Sequence, residues 1–199
     1  MSRSSITNGR SKSAIMSSRP SFIVYPETVK QSNANNIPQL RFLIMDAPSQ
    51  QNLHLYIKEC KRYGVTDIVR VCEPTYSNTS ELANAGIALH DMAYDDGTSP
   101  PDHVLDAWLD IVERCFININ EDDANDLPTV AVHCIAGLGR APVLVTIALM
   151  EYCKCDAVVA VTLIRKLRRG AINQRQLTYL EHYKCRRAYG SSSMCCIIS

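Results

Sequence analysis

The chain has 199 residues, a length that suits one domain with a sizeable core plus tails. With a formal net charge of +1 and charged and hydrophobic fractions of 21% and 46%, it has an ordinary globular composition and no basis for wholesale nucleic-acid binding. Nine scattered cysteines lack the spacing of a disulfide framework, and no apolar run approaches the roughly 20 residues of a transmembrane helix, so a reducing, cytoplasmic setting is expected.

Residues 1–38 read as a disordered, basic, serine-rich arm: Arg3, Arg10, Lys12 and Arg19 stand among serines, with no acid in the first twenty residues. That stretch lacks the apolar core of a signal peptide. It has the composition of an organellar transit peptide but too few apolar residues for a clear amphipathic helix. Order is expected from about Leu40, with a buried strand over Arg41–Met45 stopped by Asp46-Ala47-Pro48. A helix follows over residues 50–63, closed by Gly64, then a strand over Asp67–Cys72. Thr79 to Asn84 suits a short helix and Ile87 to His90 a strand. Val104, Leu105, Trp108, Ile111, Val112 and Cys115 share one face of a helix over residues 102–116. The acidic cluster at residues 121–126 reads as a solvated loop. A strand from Thr129, a helix from Arg140 to about Tyr152, and helices over residues 157–168 and 175–186 complete the series. Alternating strands and helices predict an α/β domain over residues 39–187, with a mainly parallel central sheet and helices on both faces. Residues 188–199 form a serine-rich tail.

Val130 to Pro142 carries the chemistry. An apolar strand delivers Cys134 into a loop of Ile135, Ala136, Gly137, Leu138 and Gly139, and Arg140 and Pro142 open an apolar helix. Glycines allow consecutive backbone N–H groups to turn toward one anion, and the helix N-terminus adds positive potential there. That potential also favours a thiolate on Cys134. Arg140 lies six residues on, where its guanidinium can fork onto two phosphate oxygens. His133 is placed to orient the loop. Phosphoryl transfer to a thiolate also needs a proton donor for the leaving oxygen, on an element that can close over the site. Asp95-Asp96-Gly97, about 40 residues upstream, is the candidate. No His/Cys cluster has zinc spacing, so neither metal nor cofactor is expected.

His133-Cys134, five further residues and Arg140 resemble the signature of the cysteine-dependent, dual-specificity-like protein tyrosine phosphatases. Lys61 to Thr66, Val69 to Glu73, Asp95-Asp96-Gly97, Cys134 to Val145, and Arg168-Arg169-Gly170-Ala171 with Asn173 and Gln176-Leu177 are similar to one branch, the phosphatases of regenerating liver (PRL, type IVA). The resemblance implies Cys134 as nucleophile, Arg140 as phosphate binder and Asp96 as general acid, with Asp95 the second choice. It places Asn173 and Gln176 beside the site, and pairs Cys72 with Cys134 in a reversible, protective disulfide. Ala141 stands where most cysteine phosphatases have Ser or Thr, whose hydroxyl helps the thiolate leave. PRL members share this Ala, so slow turnover and a persistent phosphocysteine are expected. Met92-Ala93-Tyr94 replaces the family's Trp-Pro-Phe before the aspartates, which predicts a less firmly held lid.

Cys196-Ile197-Ile198-Ser199 matches a prenylation signal, with terminal Ser favouring farnesyl. One farnesyl chain binds membrane weakly, so Arg165, Lys166, Arg168, Arg169, Lys184, Arg186 and Arg187 are expected to supply basic contacts. The expected substrate is a phosphoprotein or phosphoinositide at the cytoplasmic face of plasma or endosomal membranes. The resemblance also implies binding to cyclin-M-type magnesium transporters, as an alternative main role, and assembly as a homotrimer.

Overall fold

A computed structural model describes residues 15–26, 37–119 and 127–187. Five strands form one sheet: β1 (Ser21–Tyr25), β2 (Leu40–Met45), β3 (Val65–Arg70), β4 (Ala88–Asp91) and β5 (Thr129–His133), in the order β1-β2-β5-β3-β4. β2, β5, β3 and β4 run parallel, and β1 is antiparallel to β2 at the edge. The helices are α1 (Leu53–Arg62), α2 (Ser80–Asn84), α3 (Asp102–Val112), α4 (Arg140–Cys153), α5 (Ala157–Leu167) and α6 (Gln174–Glu181).

Alternation along the strands sorts the core into two layers. Phe42, Ile44, Val69, Val130 and Val132 face a cluster with Trp108, Leu144 and Ile164, from α3, α4 and α5. Leu43, Met45, Ile68 and Ala131 face the opposite cluster with Leu53, Tyr56, Cys60 and Leu82, from α1 and α2. Helices therefore cover both faces, as alternating elements predict for a parallel sheet. α4 is buried along its whole length, which explains its apolar composition on every side.

Three boundaries depart from the sequence expectations. The folded unit begins well before residue 39: β1 pairs with β2, Ile23 is fully buried, and Phe22 stacks on Tyr63 at 4.8 Å. A short β-rich run inside a polar, serine-rich arm gains order only from the edge it pairs with, a partner absent from local sequence. The helix expected over residues 102–116 is α-helical only to Val112, and Glu113–Ile117 form a π-helical turn closed by Asn118 N–H donating to the Glu113 carbonyl. The last helix stops at Glu181 rather than near Arg186 because the buried Glu151 carboxylate accepts the backbone N–H groups of Arg186 and Arg187, at 2.7 and 3.1 Å, and the Tyr183 hydroxyl at 2.6 Å. The acidic cluster at 121–126 and the tail at 188–199, with Cys196, lie outside the described residues.

Candidate active site

β5 ends at His133, so Cys134 emerges at the carboxyl end of a central parallel strand, where such sheets open ligand sites. The Cys134 side chain is 2% exposed. Residues 135–139 curl over it before α4 begins at Arg140. Gly137 takes φ +66°, and a Cβ there would collide with the Met45 carbonyl and the Arg168 guanidinium, so glycine is required twice over.

The loop is held from outside by its carbonyls. Ala47 N–H donates to the Ile135 carbonyl at 2.9 Å, and Ile172 N–H donates to that of Leu138 at 2.7 Å. Arg168 Nη2 donates to the Ala136 carbonyl at 3.1 Å, and its Nε to that of Gly137 at 2.6 Å. With these carbonyls bound outside the loop, its N–H groups are free to face inward, as an oxyanion cradle requires. Ile172 reaches its position in a left-handed conformation, φ +63°, which a branched side chain adopts at a cost. Arg165 fastens that turn by donating to the carbonyls of Ala171 and Ile172 at 3.0 and 2.7 Å.

Cys134, Arg140, Asp96, Gly139, Asn173 and Gln176 line one cavity of about 310 Å³. Arg140 is buried there. Its Nη1 donates to the Tyr94 carbonyl at 2.9 Å, while the Tyr94 hydroxyl donates to the Arg140 carbonyl at 3.2 Å. This reciprocal pair, with Tyr94 buried, ties the segment carrying Asp96 to the start of α4, a contact that the replacement of Trp-Pro did not announce. Asp96 Oδ1 lies 3.2 Å from Arg140 Nε, close enough for ion pairing but without hydrogen-bond alignment. Both aspartates are exposed, but Asp96 lines the cavity and Asp95 does not, so the geometry favours Asp96. Asn173 caps α6, accepting from Gln176 N–H at 2.8 Å while Gln176 Oε1 accepts from Asn173 N–H at 3.1 Å. Gln176 Nε2 is buried with no hydrogen-bond partner, and a Cβ on Gly139 would sit 3.3 Å from it.

His133 serves the layer beneath the loop. Its Nε2 lies 3.0 Å from the Tyr76 hydroxyl, and its Nδ1 lies 4.0 Å from Cys72 Sγ. Burial, and then Arg70, push the imidazole down to about 4, so it is neutral at physiological pH. Arg70 pairs with Asp91, donates to the Tyr76 carbonyl at 2.9 Å and sits over the Tyr76 ring, which explains a buried Arg at the end of β3. Cys72 and Cys134 are both buried free thiols. Burial pushes the Cys72 thiol up to about 11. Among the described residues, no group of three or more His, Cys, Asp or Glu side chains is arranged to hold a metal ion.

The basic residues expected to face a membrane are largely engaged elsewhere. Arg168 is buried under the loop, and Arg165 holds the 171–172 turn. Arg186 pairs with Asp102 and Asp106, and Arg187 with Asp110 and Glu113, fastening the C-terminal segment along α3. Lys166, Arg169 and Lys184 remain exposed with no such role. Sequence reasoning missed the structural work of Arg165, Arg168, Ile172 and Tyr94. The signal for Arg168 was present in the Arg168-Arg169-Gly170 motif, but nothing local marks which arginine is buried.

No family model matches the chain. The Leishmania major protein tyrosine phosphatase PRL-1 is 48% identical over 145 residues, 73% of this chain and 82% of its own length. The Mus musculus protein tyrosine phosphatase type IVA 3 is 48% identical over 146 residues, with coverage of 73% and 79%. The PRL-1 phosphatase of Drosophila melanogaster is 46% identical over 164 residues, with coverage of 79% and 88%. A solved protein tyrosine phosphatase structure from Leishmania major matches with a TM-score of 0.69 at 41% identity, over 84% of this chain and 99% of that one. A kinase-associated phosphatase with serine in place of its catalytic cysteine matches at TM-score 0.54 and 22% identity, over 70% and 83%, a likeness of fold alone. With relatives of this closeness over most of its length, the chain belongs to the type IVA protein tyrosine phosphatases, the PRL family.

Proposed function

We propose that the protein hydrolyses phosphomonoesters through a phosphocysteine on Cys134. The observation that carries this reading is the convergence of Cys134, Arg140 and Asp96 on one small cavity. The Cys134 thiolate attacks phosphorus, Arg140 and the inward N–H groups bind the equatorial oxygens, and Asp96 protonates the leaving oxygen. Asp96 then takes a proton from the water that hydrolyses the phosphocysteine, and the unpartnered Nε2 of Gln176 is a donor for that water. Ala141 is fully buried behind the loop and brings no hydroxyl to the departing thiolate, which supports slow dephosphorylation. Phosphoproteins fit this site, and phosphoinositides share the same reacting group.

The test is mass spectrometry after incubation with a phosphomonoester: a labile phosphate is expected on the wild type and none on Cys134→Ser. Equal phosphate release by both proteins would overturn the mechanism. The Asp96–Arg140 contact also favours a second reading, in which the cavity receives an acidic side chain of a partner, such as a cyclin-M-type transporter loop. A chain that only binds would carry no phosphate on Cys134 in the same experiment.

Attachment to a membrane by a farnesyl group on Cys196 belongs to the proposal, supported by the terminal Cys-Ile-Ile-Ser sequence. Of the seven basic residues expected to meet a membrane, Lys166, Arg169 and Lys184 are then the ones left for lipid phosphates. A reversible disulfide between Cys72 and Cys134, protecting the nucleophile, is likewise proposed, supported by two buried free thiols just beyond the carboxyl ends of the paired strands β3 and β5.

A further inference from the structure

Arg168 divides its guanidinium between two parts of the chain. One edge, Nε and Nη2, grips the carbonyls of Gly137 and Ala136. The other edge, Nη1 and Nη2, faces the segment preceding β1 and the first residue of that strand: Nη2 lies 3.2 Å from Ser18 Oγ, and Nη1 lies 3.2 Å from the Arg19 carbonyl and 3.4 Å from Ser21 Oγ. All of these acceptors are uncharged. Arg168 is 7% exposed, and burial holds its pKa below the ordinary arginine value even though Asp46 acts on it through space. A buried cation bonded only to neutral oxygens is electrostatically undercompensated.

The segment that supplies the second edge is not a strand. Residues 15–20 form no helix or strand. They are fastened by side chains, with Asn52 Nδ2 donating to the Ile15 carbonyl at 3.1 Å and Arg168 holding Ser18 and Arg19. An extended segment tied down in this way can lift from the surface and enter a modifying enzyme far more readily than a sheet strand.

We propose that Ser18 is a phosphorylation site that clamps the phosphate loop through Arg168. In the modification, Ser18 Oγ attacks the terminal phosphorus of a nucleoside triphosphate on a protein kinase. The hydroxyl proton passes to the kinase base, and the nucleoside diphosphate leaves. The resulting dianion lies against the edge of Arg168 that faces residues 18–21, where Nη1 and Nη2 can bind it bidentately. The loop-facing edge keeps Ala136 and Gly137. Arg168, whose anionic neighbour Asp46 acts only through space, thus gains a directly bonded counter-charge without releasing the loop, and residues 18–21, Arg168 and the loop become one rigid unit.

The proposal rests on the phosphatase reading of the cavity. It is tested by comparing the full chain carrying genetically encoded phosphoserine at position 18 with the unmodified chain, for orthovanadate binding and for amide hydrogen exchange across residues 135–139. Exchange at Ala136 to Leu138 is expected to slow about tenfold on phosphorylation, as bonds to a dianion replace bonds to neutral oxygens. Phosphoserine at position 17, or Arg168→Lys in the phosphoserine-18 chain, should show no such gain, because neither offers a dianion to a planar fork. Should the lysine variant fail to fold, the position-17 comparison still decides. Equal slowing from position 17, or unchanged or faster exchange with vanadate still bound, overturns the clamp alone. Absence of vanadate binding to the unmodified chain overturns the reading of the cavity itself.

Discussion

Arg140 and Arg168 are the same side chain on opposite sides of one loop. Arg140 shares the cavity with Cys134, while Arg168 binds the carbonyls on the outer side. A peptide whose carbonyl is bound by a cation is polarised, so its N–H donates more strongly toward an anion within. Tyr94 shows how one atom changes a lid. Its hydroxyl bond to the Arg140 carbonyl is available to tyrosine and not to phenylalanine, and it ties the segment carrying Asp96 to the helix carrying Arg140. Tyr94→Phe removes one buried neutral hydrogen bond, worth about 0.5–1.5 kcal/mol. Steady-state kinetics on a phosphomonoester should therefore show kcat/KM reduced by up to about tenfold. An unchanged kcat/KM would mean that the lid is placed without this bond.

At the scale of elements, buried charges decide how helices meet the sheet. Asp67 on β3 bonds His90 on β4 at 2.7 Å, Arg114 in the π-helical turn at 2.8 Å and Thr66 at 2.8 Å. Burial alone would raise its pKa. The bonds from Arg114, His90 and Thr66 outweigh burial, and the carboxyl lies below its usual value. A depressed carboxyl pKa contributes stability that is present above the unfolded value and lost as pH falls through the folded one. Asp67→Asn keeps the shape and removes the charge, so chemical denaturation near neutral pH should show a loss of about 1–3 kcal/mol, much of it absent below the carboxylate range. The C-terminal segment follows the same logic. Glu151 stops α6, and Arg186 and Arg187 spend their charge on the acidic face of α3.

At the scale of the molecule, the cradle stands on a neutral, buried histidine, and this makes folding sensitive to acid. The folded pKa of His133 is about 4, below the unfolded value near 6.5. The unfolded chain therefore binds more protons between those values, and the contribution is intact above about pH 6.5 and falls away toward pH 4. A difference of that size amounts to about 3 kcal/mol in full, of which about 2 kcal/mol is lost between pH 7 and pH 5. Urea denaturation at pH 7 and pH 5 should show the loss, and His133→Gln should flatten the slope. An equal slope in the variant would assign the acid sensitivity to other groups.

The sequence by itself determined the sheet-and-helix alternation, the burial of α4 and the nature of the central loop. Those features rest on local periodicity and on residue types, such as Cys134, Gly137 and Arg140, whose chemistry is explicit in their order. Only the tertiary structure decided which arginine lies under the loop and which faces solvent, because Arg168 and Arg169 are neighbours with identical local signals. It also decided that Tyr94 bonds to Arg140, that Ser21–Tyr25 is a strand, and that Arg186 and Arg187 pair with acids of α3. In each case the deciding partner is distant in the chain, and burial selects among side chains that sequence leaves equivalent.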